Sequence, residues 1–280
     1  MSARPRAAVI GRPVAHSLSP AIHSAAFAEI GIDWEYVAID VGPDDLDDIV
    51  ATCRAGDLVA LSVTMPLKEA VISHLDDLSD TARSLGAVNC VVVRDGRLAG
   101  HNTDGDGCCD ALAEQGGLEI AGSTVLVLGA GGTARAIALA LVRRGANVIV
   151  RNRTEENVTA LLSCVAAHVG GARGTIRSAA PGEVPSVDAI VNATSVGMNS
   201  DDSPVDAREI SPGIVVLDAV YSPLRTRLLR DAEGRGARVV DGLWMLVHQA
   251  RHQQMIWFGA AGRASSMRAE SERVLAERSK

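Results

Sequence analysis

The stretch 125–154, VLVLGAGGTARAIALALVRRGANVIVRNRT, decides the fold of this chain. An apolar run leads into a glycine-rich turn, an amphipathic run follows the turn, and a second apolar run ends the stretch. Continuous apolar runs are typical of strands buried on both faces, and apolar residues at helical spacing are typical of a helix packed on a sheet. The stretch therefore predicts a strand, a helix and a second, parallel strand.

The turn between the first strand and the helix, GAGGTA (129–134), matches the pattern G-x-G-x-x-A. Gly129 permits a tight turn, Gly131 lets the backbone approach a pyrophosphate, and Ala134 lets the helix pack closely on the strand. The helix N-terminus offers N–H groups and a positive dipole end to phosphates. We predict a dinucleotide site at this turn. The alternative is a glycine turn in a purely structural unit.

The end of the second strand indicates which dinucleotide is bound. NAD sites usually place Asp or Glu there to accept a hydrogen bond from the ribose 2′-hydroxyl. Here the strand ends in Arg151, Asn152, Arg153 and Thr154, and the first carboxylate is Glu155. A guanidinium suits a 2′-phosphate that a carboxylate would repel, so we predict NADP(H). The alternative is that the arginines form only a solvated strand end.

The same alternation of strands and helices extends to both sides of this stretch. Apolar spacing predicts helices that end at Gly31 and Gly56, and a helical region that follows Gly242. The predicted strands are 7–11, 34–39, 58–64, 87–94, 123–129, 146–152, 187–194, 213–220 and 237–242. This order predicts an α/β protein with largely parallel sheets.

A chain of 280 residues is long enough for two domains. The polar, glycine-rich segment 102–117 marks the first boundary. We predict an N-terminal α/β substrate domain, residues 1–104, to which the C-terminal helices of residues 242–280 return. Residues 105–241 are predicted to form a Rossmann-like dinucleotide-binding domain.

Composition excludes several classes of protein. Hydrophobic residues make up 47% of the chain, which is enough for a core and excludes a disordered chain. A net charge of -7 argues against a nucleic-acid or anionic-membrane partner, and no apolar run approaches the ~20 residues of a membrane helix. Five cysteines without a CxxC pair indicate reduced thiols, so we expect a cytoplasmic protein.

Histidine, cysteine and acidic residues show no spacing typical of a metal site, and we predict none. His248 and His252 are four residues apart in the C-terminal helical region, where we expect them on a solvated face. Several polar side chains outside the glycine turn suit a small, hydroxylated anion. They are Ser17, Ser19, Thr64, Lys68, Asn89, Asn102, Asp104 and Gln249.

Ordered motifs over nearly the whole chain resemble the shikimate dehydrogenase family. Besides the glycine turn they are HSLSP (16–20), VTMPLK (63–68), GAVN (86–89), NTDG (102–105), NRT (152–154), NATS (192–195) and GLWMLVHQ (242–249). The resemblance implies NADP-linked, reversible reduction of 3-dehydroshikimate to shikimate, a step towards chorismate and the aromatic amino acids.

The resemblance also implies roles for single residues. The catalytic residues would be Lys68 and Asp104. Substrate would be bound at its carboxylate by Ser17, Ser19 and Tyr221, and at its ring hydroxyls by Thr64, Asn89 and Gln249. Cofactor would be bound by Gly129, Ala130, Gly131, Gly132, Thr133, Asn152, Arg153 and Thr154, with Thr194, Ala219 and Gly242 nearer the nicotinamide.

Chemistry independently favours Lys68. Hydride transfer at a carbinol carbon requires a group that exchanges a proton with the oxygen, and lysine can do this whereas arginine cannot. Lys68 and Lys280 are the only lysines in the chain. The alternative for Lys68 is surface solvation, and for Asp104 a cap on a helix that begins near Gly105.

The predicted binding residues are also compatible with purely structural roles. Ser17 and Ser19 could cap the helix that begins at Pro20, and Gln249 could lie on an exposed helix face.

Three positions depart from the usual pattern of the family. Ser62 stands where the family usually has Asn, His101 where an acid is common, and Trp244 where a small or acidic residue is common. Rival functions are therefore a quinate or aminoshikimate dehydrogenase paralogue and a non-catalytic NADP-binding sensor. Monomer and homodimer are both compatible with the sequence.

Overall fold

The computed structural model describes residues 4–183 and 185–278. The strands are β1 (Arg6–Gly11), β2 (Glu35–Asp40), β3 (Leu58–Val63), β4 (Asp77–Leu78), β5 (Cys90–Arg94), β6 (Arg97–His101), β7 (Thr124–Leu128), β8 (Asn147–Arg151), β9 (Thr175–Ser178), β10 (Ala189–Asn192), β11 (Val215–Asp218) and β12 (Arg238–Val240). The helices are α1 (Ser19–Ile30), α2 (Leu46–Ala55), α3 (Leu67–Ala70), α4 (Asp80–Leu85), α5 (Asp104–Glu114), α6 (Gly132–Arg143), α7 (Glu155–His168), α8 (Arg227–Gly234), α9 (Gly242–Phe258) and α10 (Ala264–Arg278). None of the described helices is long and apolar enough to cross a membrane.

The chain divides into two compact units. The first contains Met1–Thr103 and Gln249–Lys280, and the second contains Asp104–His248. Helix α9 therefore contributes residues to both units. The predicted boundaries after residues 104 and 241 stay a prediction.

The sheet of the first unit has the strand order β2-β1-β3-β5-β6-β4. Three of its strand pairs are parallel, but β5 runs antiparallel to both β3 and β6. Strand β6, which follows β5 after the two residues Asp95 and Gly96, was not predicted from the sequence. Both have positive φ, 51° and 73°, as a type I′ hairpin turn requires. The Asp-Gly pair was the available signal for this hairpin.

Strand β1 is buried on both faces of its sheet. Ala7 and Val9 belong to an apolar cluster that includes Phe27. Ala8 and Ile10, which alternate with them along the strand, belong to a second apolar cluster. Successive side chains of a strand point to opposite faces, so a strand covered on both sides carries a continuous apolar run. This explains why the strand predicted at 7–11 has an apolar run without alternating polarity.

The sheet of the second unit has the order β12-β11-β10-β7-β8-β9, and every strand pair is parallel. This confirms the predicted α/β class. Helix α5 lies in the polar, glycine-rich segment that was predicted as a domain boundary, where a helix beginning near Gly105 was an alternative for Asp104. Gly105 allows α5 to approach α6 closely, since a Cβ there would lie 2.3 Å from the carbonyl oxygen of Ala136.

A histidine lies in the core of the first unit. His23 is fully buried and stacks on Tyr36, with ring centroids 4.4 Å apart. Its Nδ1 accepts a hydrogen bond from Nε2 of Gln254 at 3.1 Å. Burial lowers the pKa of His23 to about 3, so the folded protein keeps this ring neutral.

His23 should make the folded state less stable as the pH falls through 6.5. The unfolded state binds a proton at His23 near the ordinary pKa of about 6.5, whereas the folded state does so only near 3, so stability is complete above 6.5 and declines towards 3. Between pH 7.5 and 5.5 the loss in unfolding free energy should be about 1.4 kcal/mol. Urea unfolding of wild type and H23F measures it.

In the H23F variant, the pH-dependent loss of unfolding free energy that His23 causes should be absent, whereas the pH dependence due to the other groups should remain. Replacing the exposed His168 with Gln is the control, and H168Q should behave as wild type does. Equal pH dependence in wild type and H23F would contradict the assignment.

Candidate functional site

The glycine turn leaves the end of β7 as predicted. Gly129 has φ of +109°, and a Cβ on it would lie 3.0 Å from the carbonyl oxygen of Ala193. Gly131 is the N-cap of α6 in an extended conformation, and space is open around its Cα. The turn joins β7 directly to α6. Ala130 lies in the turn, and Thr133 is the second residue of the helix. This geometry leaves the first N–H groups of α6 to a phosphate.

A cavity of about 350 Å³ lies beyond the end of β8. It is lined by Arg151, Asn152, Arg153, Glu183 and Glu209, among others. Nη1 of Arg151 donates to Glu209 at 2.7 Å and Nη2 donates to the carbonyl oxygen of Glu183 at 2.6 Å. Arg151 is therefore committed within the unit and is not a solvated strand end.

Arg153 differs from Arg151. Its side chain is exposed at the cavity, and within the described residues it has no ion pair or hydrogen bond. Next to it, Nδ2 of Asn152 donates to the carbonyl oxygen of Thr154 at 3.0 Å, which closes the loop on itself. The available cation at this cavity is thus the guanidinium of Arg153, and the donor set suits a 2′-phosphate.

Two other loops of this unit are held by a buried carboxylate. Asp218 at the end of β11 accepts hydrogen bonds from Asn192 Nδ2 at 2.9 Å, Thr226 Oγ1 at 2.6 Å and the N–H of Val220 at 3.0 Å. Burial raises its pKa. Oδ1 of Asn192 in turn accepts from the N–H and hydroxyl of Thr194. The network fixes the loops that carry Thr194 and Ala219.

Asp218 and Asn192 were not among the predicted site residues. A single acid and a single amide at the ends of the apolar runs 213–220 and 187–194 were the available signal. Buried polar groups need partners, and the ends of two neighbouring parallel strands bring this pair together.

Gly242 lies directly against the loop after β11. A Cβ on it would lie 2.5 Å from the carbonyl oxygen of Ala219 and 2.6 Å from that of Val220. The structure therefore brings Ala219 and Gly242 together, and their contact with the nicotinamide stays a prediction. Tyr221, two residues further on from Ala219, is half-buried.

The predicted ring-hydroxyl amides meet in the first unit. Nδ2 of Asn89 donates to Oε1 of Gln249 at 3.0 Å and to Oγ1 of Thr103 at 3.0 Å. Oδ1 of Asn89 accepts from the N–H of Thr103 at 2.8 Å. Gln249 is only 8% exposed, so the alternative of an exposed helix face is wrong. Thr103 was missed by the sequence analysis, although it lies inside the NTDG motif.

Thr64 and Lys68 follow β3 along the chain. Gly11 is the last residue of β1 and allows the end of that strand to lie against Thr64, since a Cβ at Gly11 would lie 2.5 Å from Cγ2 of Thr64. Lys68 lies in the short helix α3 and is half-buried, and its carbonyl oxygen accepts from the N–H of Val88 at 2.8 Å. That hydrogen bond ties α3 to the segment that leads to Asn89.

Ser17 and Ser19 lie at the start of α1. The helix begins at Ser19 with Leu18 as its N-cap, and no side chain caps it. Oγ of Ser17 instead accepts from the N–H of Ser19 at 3.2 Å. Arg278 of α10 donates to the carbonyl oxygens of His16 and Ser17, at 2.9 and 3.4 Å, and so braces this loop.

Asp104 is the first residue of α5 and belongs to the second unit. It is buried, and its carboxylate lies in the first turn of a helix, where the dipole favours a negative charge. Because α5 already includes Asp104, the helix starts one position earlier than the capping alternative requires.

Among the residues that the structure describes, one group of side chains has ligand-type atoms within 4.8 Å of one another: Asp110, Glu114 and His248. Each of two members already has a strong partner, since Asp110 accepts from Arg144 at 2.9 Å and His248 lies 2.8 Å from Oε1 of Gln115. His248 is fully buried, so the expectation of a solvated face is wrong for it. The prediction of no metal site stays a prediction.

Comparison with known proteins decides the family. The model for the shikimate dehydrogenase substrate binding domain matches residues 9–91, and that for shikimate / quinate 5-dehydrogenase matches residues 111–197. A curated NADP(+) shikimate dehydrogenase of Thermococcus kodakarensis is 45% identical over 252 residues, 90% of each chain. The chain belongs to the shikimate dehydrogenase family.

Solved structures of the family share the fold. The shikimate 5-dehydrogenase of Thermus thermophilus, in complex with NADP(H) and shikimate, matches with a TM-score of 0.86 and 38% identity over 96% of this chain and 98% of its own. The quinate dehydrogenase of Corynebacterium glutamicum, in complex with NAD, matches with a TM-score of 0.84 and 31% identity over 95% and 98%. The family thus includes proteins named for different ring substrates and cofactors.

In this member of the family, Gly242 should tolerate no side chain. Replacement by Ala puts a Cβ against two backbone carbonyl oxygens, so the loop that carries Ala219 must shift. We expect G242A to lose about 1–3 kcal/mol of unfolding free energy and to weaken dinucleotide binding. Urea unfolding and NADPH fluorescence titration measure the two effects.

Gly234, at the end of α8 in the same unit, gives the matched control. A Cβ there meets nothing within 4 Å, so G234A should be neutral or slightly stabilising and should bind NADPH as wild type does. Similar behaviour of the two variants would refute the close-packing role of Gly242.

Proposed function

We propose that this protein is an NADP(H)-dependent oxidoreductase that interconverts 3-dehydroshikimate and shikimate, a step towards chorismate. The observation that carries the substrate assignment is the buried amide cluster of Asn89, Thr103 and Gln249, in a chain of this family. Amides buried beside hydroxyls form a site that selects polar ring substituents, since a substrate that lacks them leaves buried groups unpaired.

The proposed division of labour follows the chain. The domain of residues 1–104 with 242–280 would bind the substrate, and the domain of residues 105–241 would bind the dinucleotide. The hydroxyls of Ser17, Ser19 and Tyr221 would bind the carboxylate of the substrate. The ring hydroxyls would be contacted by Thr64, Asn89 and Gln249.

The dinucleotide assignment is supported by the donors of the second unit. Phosphates would be bound at the N-terminus of α6 by the segment Gly129, Ala130, Gly131, Gly132 and Thr133. The 2′-phosphate would be bound by Asn152, Arg153 and Thr154. The nicotinamide end would be bound by Thr194, Ala219 and Gly242.

When bound, the nicotinamide supplies or accepts the hydride. Lys68 would exchange the proton with the reacting oxygen of the substrate, because an ammonium can donate it in reduction and an amine can accept it in oxidation. Asp104 would be the second catalytic group, with a carboxylate that accepts a hydrogen bond from the substrate. The chain thus moves the proton, while the cofactor carries the hydride.

Replacing Lys68 with Ala should remove the proton exchange. We expect K68A to lower kcat by about a hundred- to ten-thousandfold, and to leave the NADPH dissociation constant unchanged. Initial rates and NADPH fluorescence titration measure these quantities. K68R keeps the charge but cannot exchange a proton at neutral pH, so it should be almost as slow. Wild-type turnover by K68R would contradict the acid–base role.

Replacing Arg153 with Asp should shift the cofactor preference towards NAD. The loss of a charge-assisted hydrogen bond to the 2′-phosphate should lower the preference for NADP over NAD by about 10- to 100-fold. The ratio of kcat/KM values for the two cofactors measures it. Arg173 is an exposed arginine of the same unit that does not line the cavity, so R173D controls for the change of net charge. An equal shift in both variants would reject the local role.

A quinate or aminoshikimate dehydrogenase is the second candidate function. Ser62, at a position where the family usually has Asn, favours it. A non-catalytic NADP-binding sensor is the third candidate, and the presence of both Lys68 and Asp104 argues against it. Initial rates with shikimate, quinate and aminoshikimate, each with NADP+ and NAD+, separate all three.

Location and assembly complete the proposal. We propose a cytoplasmic protein, supported by five free cysteines of which four are buried. A monomer and a homodimer are the two candidate states, and light scattering in solution distinguishes them.

A further inference from the structure

A continuous chain of buried polar side chains leads from β2 to the amide cluster. It consists of Tyr36, Ser62, Gln253, Gln249 and Asn89, all of which are buried in the first unit. A buried polar group costs stability unless it has a hydrogen-bond partner. A chain of five in one core therefore needs an explanation beyond packing.

The direction of the hydrogen bonds is fixed at its outer end. Oη of Tyr36 donates to Oγ of Ser62 at 2.6 Å, and Oγ of Ser62 donates its own proton to Oε1 of Gln253 at 2.5 Å. Burial raises the pKa of Tyr36, so the phenol keeps the proton that it donates. With Oε1 held by Ser62, the amide of Gln253 has one orientation, and its Nε2 faces the opposite side.

Nε2 of Gln253 then connects to both predicted ring-hydroxyl contacts. It donates to Oε1 of Gln249 at 3.0 Å and to the carbonyl oxygen of Asn89 at 3.1 Å. Both of its hydrogens are used in this way, and its oxygen is used by Ser62. Gln253 therefore has no donor left for a substrate, and any effect on one must act through Gln249 and Asn89.

The orientation of Gln249 depends on this arrangement. Its Oε1 receives hydrogen bonds from Gln253, from Nδ2 of Asn89 at 3.0 Å, and from Oγ1 of Thr103 at 3.4 Å. The two amide donors, Nδ2 of Asn89 and Nε2 of Gln253, exclude the flipped amide of Gln249, in which an NH2 group would face two other NH2 groups. The amide of Gln249 is thus held with its oxygen inward and its NH2 group on the outer side.

We propose that Gln253 is a positioning residue that sets ring-hydroxyl selectivity: oriented by the Tyr36–Ser62 hydroxyl pair, it holds Gln249 as a donor and fixes Asn89 beside it. The inference rests on the proposed function, because it takes Gln249 and Asn89 as substrate contacts. The substrate class that fits this arrangement is a polyhydroxylated ring, whose hydroxyl oxygens accept hydrogen bonds from an amide of one fixed orientation.

The neighbouring residue offers a matched control. Gln254 lies next to Gln253 on α9 and is equally buried, but its amide bonds Nδ1 of His23 and the N–H of Gly262. Replacing either Gln253 or Gln254 with Leu removes one buried amide from helix α9. Only the Gln253 substitution removes a donor from Gln249.

The experiment compares Q253L, Q254L and wild type with shikimate and quinate under NADP+. We expect Q253L to raise the KM for shikimate by about 10-fold or more, the equivalent of one lost hydrogen bond, and to reduce the ratio of shikimate to quinate kcat/KM by a similar factor. The kcat for shikimate should change by less than the KM does. Q254L should show neither change, so its KM and its selectivity should equal those of wild type.

A second variant tests the orientation step. S62A leaves Gln253 in place but removes the hydroxyl that fixes its amide, so it should shift KM and selectivity in the same direction by a smaller factor. In the double variant S62A/Q253L the effects should be less than additive, because both act on the same amide. Unfolding in urea is measured for all variants, so that lost stability is separated from lost selectivity.

Three outcomes have distinct meanings. Absence of wild-type turnover with both substrates would overturn the proposed function, and this inference with it. Wild-type turnover with equal KM shifts in Q253L and Q254L would overturn this inference alone, since a general loss of core packing would then explain both. Unchanged KM and selectivity in Q253L would overturn it too.

Discussion

Buried polar side chains that must find hydrogen-bond partners shape both units of this protein. In the first unit, Asn89 and Gln249 satisfy each other beside Thr103. In the second unit, Asp218 is surrounded by Asn192, Thr226 and a backbone N–H. An unpaired group at such depth would cost on the order of 1–3 kcal/mol, so each network holds its loops in one arrangement. Residues that we propose to bind substrate or cofactor, such as Asn89 and Thr194, lie on those loops.

Close backbone approach is the second constraint. Gly129, Gly105 and Gly242 each lie where a Cβ would meet a carbonyl oxygen at 3.0 Å or less. At Gly129 the turn itself also requires a positive φ, whereas at the other two positions the requirement is space alone. Because β7, β10 and β11 are parallel neighbours, the loops after them lie at one edge of the sheet, where open α/β folds bind their ligands, and Gly129 and Gly242 let those loops pack closely.

Much of this could be predicted from local sequence. The glycine turn was found with its strand and helix, because close packing and phosphate binding both demand small residues at fixed spacing. The β5–β6 hairpin was missed because the Asp-Gly turn was overlooked. Helix α5 was considered only as a helix that Asp104 could cap, because its glycines have low helix propensity. Packing overrides that propensity, since Gly105 is needed for α5 to approach α6.

The sequence by itself determined the α/β class, the glycine turn, the candidate site residues and the family resemblance, because each depends on residue types at short, fixed spacings. Tertiary structure alone decided which polar side chains share hydrogen bonds. Ser62 and Gln253 are 191 positions apart, and Tyr36 is 26 positions from Ser62, yet they form one chain of hydrogen bonds. No local pattern encodes such a contact, since it exists only after β2, β3 and α9 have packed on one another.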